Sequence, residues 1–393
     1  MPYTKNNHRR SRSTKMYKQP KKRYRGQYIN PERFIKEAQP ISADQYQAIH
    51  KFDDFNMIDL LKNNLRAKGY EIPSPIQDQT IPLALEGNDI IGIANTGTGK
   101  TASFAVPVLN KLIIDRESRV LIVAPTRELA EQIELEMESI ANGSGLRGAL
   151  LIGGSSIGRQ LRDLRLNPSV VIGTPGRIKD HLERSSLKLG RFNMVVLDEV
   201  DRMLDMGFLP DITTIMNQLP KDRQSLFFSA TIDKRVEGLI ENFSNNPIMV
   251  KHKTSDTSDN VHQDVVRIGN SSDKINRLHD ILIKDEAEKI IVFDETQRNV
   301  EKLGNELVTR GFKADVIHGG KNQRQRQRAL LRFKDNEVNI LVATDVAARG
   351  IDVKDITHVI NYSVPQTYDD YTHRIGRAGR AGRVGYALTF INE

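Results

Sequence analysis

Twelve short runs rich in Val, Ile, Leu and Phe recur along the chain from residue 90, with helical stretches or loops between them. The first six are 90–93, 120–123, 149–152, 170–172, 194–197 and 226–228; the second six are 265–268, 290–293, 314–317, 340–342, 358–360 and 387–391. The runs are short and continuous, so neither period settles them individually; the alternation does. Strands buried on both faces and alternating with helices build a doubly wound parallel sheet. Between the two sets, residues 253–260 hold no apolar side chain and read as a linker. The expected fold is α/β, with parallel-sheet domains in tandem at 49–252 and 261–393, which fits 393 residues.

The first run leads into Ala94-Asn95-Thr96-Gly97-Thr98-Gly99-Lys100-Thr101, and a helical stretch follows at 102–112. Strand, Gly-rich turn and helix are the context of a phosphate-binding loop. Gly97 and Gly99 let backbone N–H groups approach an anion, and the helix N-terminus points at it. Lys100 can reach the β- and γ-phosphates of a bound nucleotide, and the Thr101 hydroxyl can ligate Mg²⁺. The strict pattern begins with Gly, where this chain has Ala94.

Other groups gather at strand ends, where a parallel sheet collects its chemistry. The run at 194–197 ends in Asp198-Glu199-Val200-Asp201. Asp198 is placed to hold Mg²⁺, and Glu199 to orient and deprotonate an attacking water. Ser229-Ala230-Thr231 ends another run; alone it reads equally well as a turn. Far downstream comes His373-Arg374-Ile375-Gly376-Arg377-Ala378-Gly379-Arg380. Arg377 and Arg380 are three apart, so a helical turn would put both guanidinium groups on one side. Such a pair suits a γ-phosphate whose charge grows in the transition state. The pair and the phosphate loop fall in different domains, so a nucleotide is expected between them.

Charge is concentrated at the N-terminus. Residues 1–30 hold ten of the 58 Lys and Arg and no acid, leaving 48 basic against 50 acidic residues in the body. Residues 1–48 are expected to form a basic, disordered arm for a polyanion, with Tyr3, Tyr17, Tyr24 and Tyr28 available to stack on bases. A tail for solubility or targeting is the plainer alternative. The body opens with a helix at 56–68 stopped by Gly69, then a second helix from Ser74 with Pro75 first. The chain has no cysteine, which excludes disulfides and Cys-ligated zinc. It has no run of 18 apolar residues and no apolar N-terminal signal. These features fit a cytoplasmic protein.

From about Phe52 to the C-terminus the chain resembles the DEAD-box RNA helicases of superfamily 2, with DEVD in place of the naming tetrad. The family's motifs run in order: Phe52, Gly69-Tyr70 and Gln77; 94–101; Pro125–Ala130; Gly153-Gly154; Thr174–Arg177; Asp198–Asp201; Ser229–Thr231; Val292-Phe293; His318-Gly319 with Gln323 and Arg326; Thr344–Asp352; and His373–Arg380.

The resemblance implies two RecA-like domains that close over ATP and single-stranded RNA. It assigns Gln77 to the adenine edge, and Tyr70, with Phe52 upstream, to the ring. Gly350 and Asp352 fall to the ribose. Pro125, Thr126, Arg127, Gly154, Thr174, Arg177, Gln323, Arg326 and Thr344 fall to RNA phosphates and sugars, contacts that carry no base sequence. Asp201, Ser229 and Thr231 would couple closure to RNA. The activity implied is ATP hydrolysis with separation of short RNA duplexes, by a monomer with little sequence preference. An ATP-dependent RNA clamp and a DNA translocase remain as alternatives. The Gln77 element and the Thr174–Arg177 contacts favour RNA over DNA.

Overall fold

Successive residues of a strand point to opposite faces of a sheet, so an uninterrupted apolar run needs cover on both sides. The computed structural model supplies it. It describes residues 29–38, 46–95, 98–252, 260–269, 273–284, 286–348, 353, 355–379 and 383–392. The strands are β1 Ile90–Ile93, β2 Val120–Val123, β3 Gly148–Leu151, β4 Val170–Gly173, β5 Met194–Leu197, β6 Gln224–Ser229 and β7 Ile248–Lys251 in the first half. The second half has β8 Val261–Ile268, β9 Ile290–Phe293, β10 Ala314–Ile317, β11 Ile340–Ala343, β12 His358–Asn361 and β13 Gly385–Asn392. Among the described residues they make two all-parallel sheets, ordered β3-β4-β2-β5-β6-β1-β7 and β10-β11-β9-β12-β13-β8.

In the first sheet Ile90, Ile122, Val196 and Phe228 enter one core, while Ile91, Leu121, Val195 and Phe227 enter the core on the other face. The second sheet divides the same way, with Ile290, Val292 and Val342 on one side and Ile291, Phe293 and Leu341 on the other. Each half is therefore a helix–sheet–helix sandwich, the expected doubly wound arrangement.

Several boundaries differ from the sequence reading. β7, with Ile248, Met249 and Lys251 exposed, lacks the apolar continuity that marks the buried strands. β8 starts at Val261, four residues early, because its Gln263 and Asp264 interrupt the apolar pattern. The first helix is Asp59–Ala67, and the helix after the phosphate loop is Lys100–Ile114. The second helix is Pro75–Leu85, capped reciprocally by Ser74 and Gln77.

Two expectations are corrected. Residues 1–48 are not an arm throughout: Pro31–Phe34 form a 3-10 turn whose Phe34 is fully buried in the second domain's core. Ile29 and Phe34 supply apolar surface that the basic segment upstream lacks. The arm's residues 1–28, with the four tyrosines, lie outside the described residues. Residues 253–259 of the linker do so too. The second correction concerns Arg377, which is not on a helix. The helix Tyr368–Ile375 ends at Gly376, and Arg377 follows in a turn.

Candidate nucleotide and nucleic-acid site

The sheet order explains how the first domain's motifs meet. β6 lies between β1 and β5, so the ends of these three strands are neighbours. Ala94 N, just past β1, donates to Ser229 O at the end of β6 (3.1 Å). Asp201, just past β5, reaches the same turn. Its Oδ2 accepts from Ala230 N (3.0 Å), Thr231 N (2.8 Å) and Thr231 Oγ1 (3.0 Å), and its own N–H donates to Ser229 Oγ (3.2 Å). The Ser-Ala-Thr turn that looked weak in sequence is thus tied to the acidic tetrad by four hydrogen bonds.

The phosphate loop closes on its own backbone. Lys100, buried, donates from Nζ to Ala94 O (2.8 Å), and Thr98 Oγ1 donates to Asn95 O (2.8 Å). Gly99 is left-handed at φ 87°, and a side chain there would collide with the Gln77 amide. Gln77 itself is committed: its Oε1 accepts from Ser74 N (2.8 Å) and its Nε2 donates to Gly99 O (3.0 Å). Tyr70 donates its hydroxyl to Glu136 (2.9 Å), and its ring meets Phe52 edge-on at 5.2 Å. Phe52 is itself 2% exposed, beneath Tyr70 and against Phe55. Thr101 follows Lys100 in the first turn of its helix. Thr96, Gly97, Gly350, Asp352 and Arg380 lie outside the described residues.

Asp198 and Glu199 are both buried. Burial raises the Asp198 carboxyl, against the pull of nearby Lys100. Burial acts on Glu199 in the same sense, but Arg202, Lys100 and Arg377 overcome it and hold that carboxyl down. Glu199 has left-handed backbone at φ 53°, a conformation costly for a residue with a Cβ. Arg202, one turn on, forms an ion pair with it. Among the described residues no group of three or more His, Cys, Asp or Glu forms a metal cage. Mg²⁺ needs no such cage, since one or two carboxylates and substrate phosphates usually hold it. Asp198, buried just past the end of β5, is a carboxylate of that kind.

The second domain faces this site. A cleft is lined by Arg202 of the first domain and by Phe293, Asp345, His373, Arg374 and Arg377 of the second. Burial keeps His373 below the usual imidazole range; Arg202 and Arg377 add to this while Asp201 and Glu199 oppose it. Arg374 is a structural pin: it pairs with Asp345 (2.5 and 2.7 Å) and donates to Ser363 O (2.8 Å).

A second cluster is cationic. Arg127 begins the helix Arg127–Ile140, capped by Thr126 Oγ1 on Leu129 N (3.3 Å). Its guanidinium lies against Gly153 and Gly154; a Cβ on Gly154, at φ 79°, would fall 2.5 Å from Nη1. Burial lowers the Arg127 pKa, and Arg326 and Arg177 lower it further, so three cations share one locality. Arg177 comes from the helix Pro175–Glu183, which Thr174 precedes, and Arg326 from the second domain's helix Gln323–Lys334. Pro125 and Thr344, both next to strand ends, complete the expected set. Sequence reasoning missed the carboxylates between them: Glu128 takes Arg326 (2.9 Å) and Gln323 (3.3 Å), and Glu131 takes Gln327 (2.8 Å). It also missed Arg202, whose signal was its position three residues after Glu199.

A DEAD/DEAH box helicase family model matches residues 74–239, and a helicase conserved C-terminal domain model matches 273–382. The chain is 44% identical over 345 residues to the ATP-dependent RNA helicase CshA of Listeria monocytogenes, covering 87% of this chain and 66% of that relative. It therefore spans about two thirds of that relative's length. It is similar to a crystal structure of a DEAD box protein from the hyperthermophile Methanococcus jannaschii, at 40% identity and TM-score 0.52, covering 87% of this chain and 93% of that one. S. cerevisiae Dbp5 bound to RNA and ADP BeF3 is 28% identical with TM-score 0.77, covering 87% and 89%. With both RecA-like domains in place and these matches along most of its length, the chain belongs to the DEAD-box family of ATP-dependent RNA helicases.

Proposed function

We propose that the protein hydrolyses ATP between its two domains and uses the closed arrangement to grip one RNA strand and displace its partner from short duplexes. The observation that carries this reading is the apposition of Glu199 and Asp201 in the first domain with His373 and Arg377 in the second. A phosphate bound there would touch both domains and draw them together. The higher TM-score against the RNA- and nucleotide-bound S. cerevisiae relative than against the more identical M. jannaschii relative supports a closed arrangement.

Lys100 leaves Ala94 O for the β- and γ-phosphates, and the loop N–H groups cradle them. Glu199 orients the attacking water and takes its proton. Thr101 and Asp198 would hold Mg²⁺, which supplies charge neutralisation on the phosphate oxygens. Arg377, with Arg380, meets the charge that develops on the transferred phosphate. Gln77 reads the adenine edge, Tyr70 stacks over the base on its Phe52 support, and Gly350 and Asp352 take the ribose. Val200 points into the hydrophobic core and is fully buried, so replacing the family's Ala changes packing and leaves both carboxylates in place.

Arg127, Arg177 and Arg326, with Pro125, Thr126, Gly154, Thr174, Gln323 and Thr344, hold the RNA backbone. Asp201, through Ser229 and Thr231, relays closure between the two sites. The functional units are 49–252 and 261–393, joined by 253–260, and the protein acts as a monomer. The test is ATP and GTP turnover with no nucleic acid, with single-stranded RNA and with single-stranded DNA. RNA-specific stimulation and ATP preference are expected; equal stimulation by DNA would transfer the reading to a DNA translocase. Turnover without duplex separation would leave a clamp.

A further inference from the structure

Among the described residues, the chain before Phe52 makes two sets of contacts, one on each domain. At the first, Lys36 N donates to Gln263 O (3.0 Å) and Gln263 N donates to Lys36 O (2.8 Å), an antiparallel bridge on the free edge of β8. Phe34 is fully buried there, 4.6 Å from the Tyr371 ring, and Arg33 lies 3.8 Å over Tyr368. Ile29 and Phe34 belong to the same core as Val261 and Tyr371. A fully buried Phe and a two-hydrogen-bond bridge make an anchor, not a passing contact.

At the second, everything converges on Asp78 of the helix Pro75–Leu85 in the first domain. Its carboxylate, 2% exposed, accepts from Tyr46 Oη (2.7 Å), Ile49 N (2.7 Å) and His50 N (3.2 Å), and His50 Nδ1 lies 2.7 Å away. Burial opposes the Asp78 charge, and these donors together hold its pKa below the usual range. Asp78 directly follows Gln77, so this anchor adjoins the phosphate loop.

We infer that the anchors at 29–36 and 46–50 form a second tether between the domains, beside the linker, and pre-organise their closure; this rests on the reading that closure over ATP and RNA drives the activity. Lys36 and Tyr46 are ten residues apart, so whatever path the chain takes they are separated by at most about 36 Å. While both anchors hold, domains that part at the cleft stay within that reach. Two crossings leave fewer relative orientations than one, so less orientational entropy remains to be lost when RNA closes the site. The cover on β8 also blunts a sheet edge that would otherwise template pairing with another chain.

The test lengthens the tether without touching either anchor, by inserting about twenty Gly and Ser residues within 39–45. Effective concentration falls roughly as the −3/2 power of tether length, so going from about ten to thirty residues weakens it about fivefold. The RNA concentration for half-maximal ATPase is expected to rise about three- to fivefold, with turnover at saturating RNA unchanged. Phe34→Ala should give the same shift. A shift in Phe34→Ala without one in the insertion variant would make Phe34 a packing residue only and overturn the tether.

A second readout needs no activity. The chain has no cysteine, so Leu135→Cys and Leu331→Cys, at exposed positions on the facing helices of the two domains, accept a fluorophore pair. In RNA-free protein the insertion should enlarge the population with widely separated fluorophores. Identical distributions overturn the tether. A wild-type protein that RNA does not stimulate overturns the functional reading instead.

Discussion

Arg326 of the second domain pairs with Glu128 of the first at 2.9 Å, and both side chains are buried. Gln323, one turn earlier, donates to the same carboxylate. One acidic residue therefore gathers two groups proposed to hold RNA, and a strand entering the cleft has to share or displace that carboxylate.

Glu128→Gln keeps the shape and removes the charge. Breaking one partner of a buried pair typically costs about 3–5 kcal/mol, here charged against the domain–domain contact. RNA-stimulated turnover should fall tenfold or more while nucleotide affinity of RNA-free protein stays near wild type. Parallel titrations with a fluorescent nucleotide and an ATPase assay separate the two. An equal fall in both would place Glu128 in the fold of the first domain instead.

Glu199→Gln removes the proposed base and keeps Asp198. It should bind ATP and RNA and hydrolyse almost nothing. Lys100→Ala should weaken nucleotide binding itself. Arg377→Ala should lower turnover with little effect on binding; arginines in comparable positions contribute about 10³–10⁵ in rate. Single-turnover hydrolysis beside equilibrium binding distinguishes the three, and a Glu199→Gln rate near wild type would remove the general-base role.

Residues 1–28 should be dispensable for RNA-saturated turnover, since every assigned motif lies downstream. Their loss should weaken RNA affinity across sequences alike, because a basic arm reads charge rather than bases. Each phosphate neutralised on a single strand adds about 0.7 to the salt slope of log affinity. The protein starting at Ile29 keeps the Phe34 anchor and should show a shallower slope. Superimposable salt series would reduce the arm to a solubility tail.

Glu134 gives a pH prediction. Burial, then repulsion from Glu138, raises its carboxyl from 4.5 to about 7, against the pull of Arg159. The folded state thus binds this proton more tightly than the unfolded chain does. Its contribution to stability is complete below about pH 4.5 and is lost as pH rises through about 7. Glu134→Gln should raise the Tm at pH 8 and leave it nearly unchanged at pH 4; a uniform shift across the range would assign the effect to packing.

The strand positions were legible in the sequence because short apolar runs alternate with helical stretches, and strands in such an alternation must be covered on both faces. The strand before residues 94–101 and the helix after them were legible too, since glycines and a lysine at that spacing call for a strand ending at Ile93 and a helix beginning near Lys100. Sequence reading failed where the partner of a side chain is distant along the chain. β7 and the early part of β8 are exposed or polar, and only pairing with β1 and β13 makes them strands. Arg377 left its helix because the helix Tyr368–Ile375 ends at Gly376, which spacing between arginines does not encode. Asp201 meets Thr231 because β5 and β6 happen to be neighbours in the sheet. Glu128 and Arg326, and Phe34 and Tyr371, lie far apart along the chain, and their meeting depends on how the two sheets pack and where the chain crosses between them. Local periodicity records what each segment must bury; only the tertiary structure decides against what.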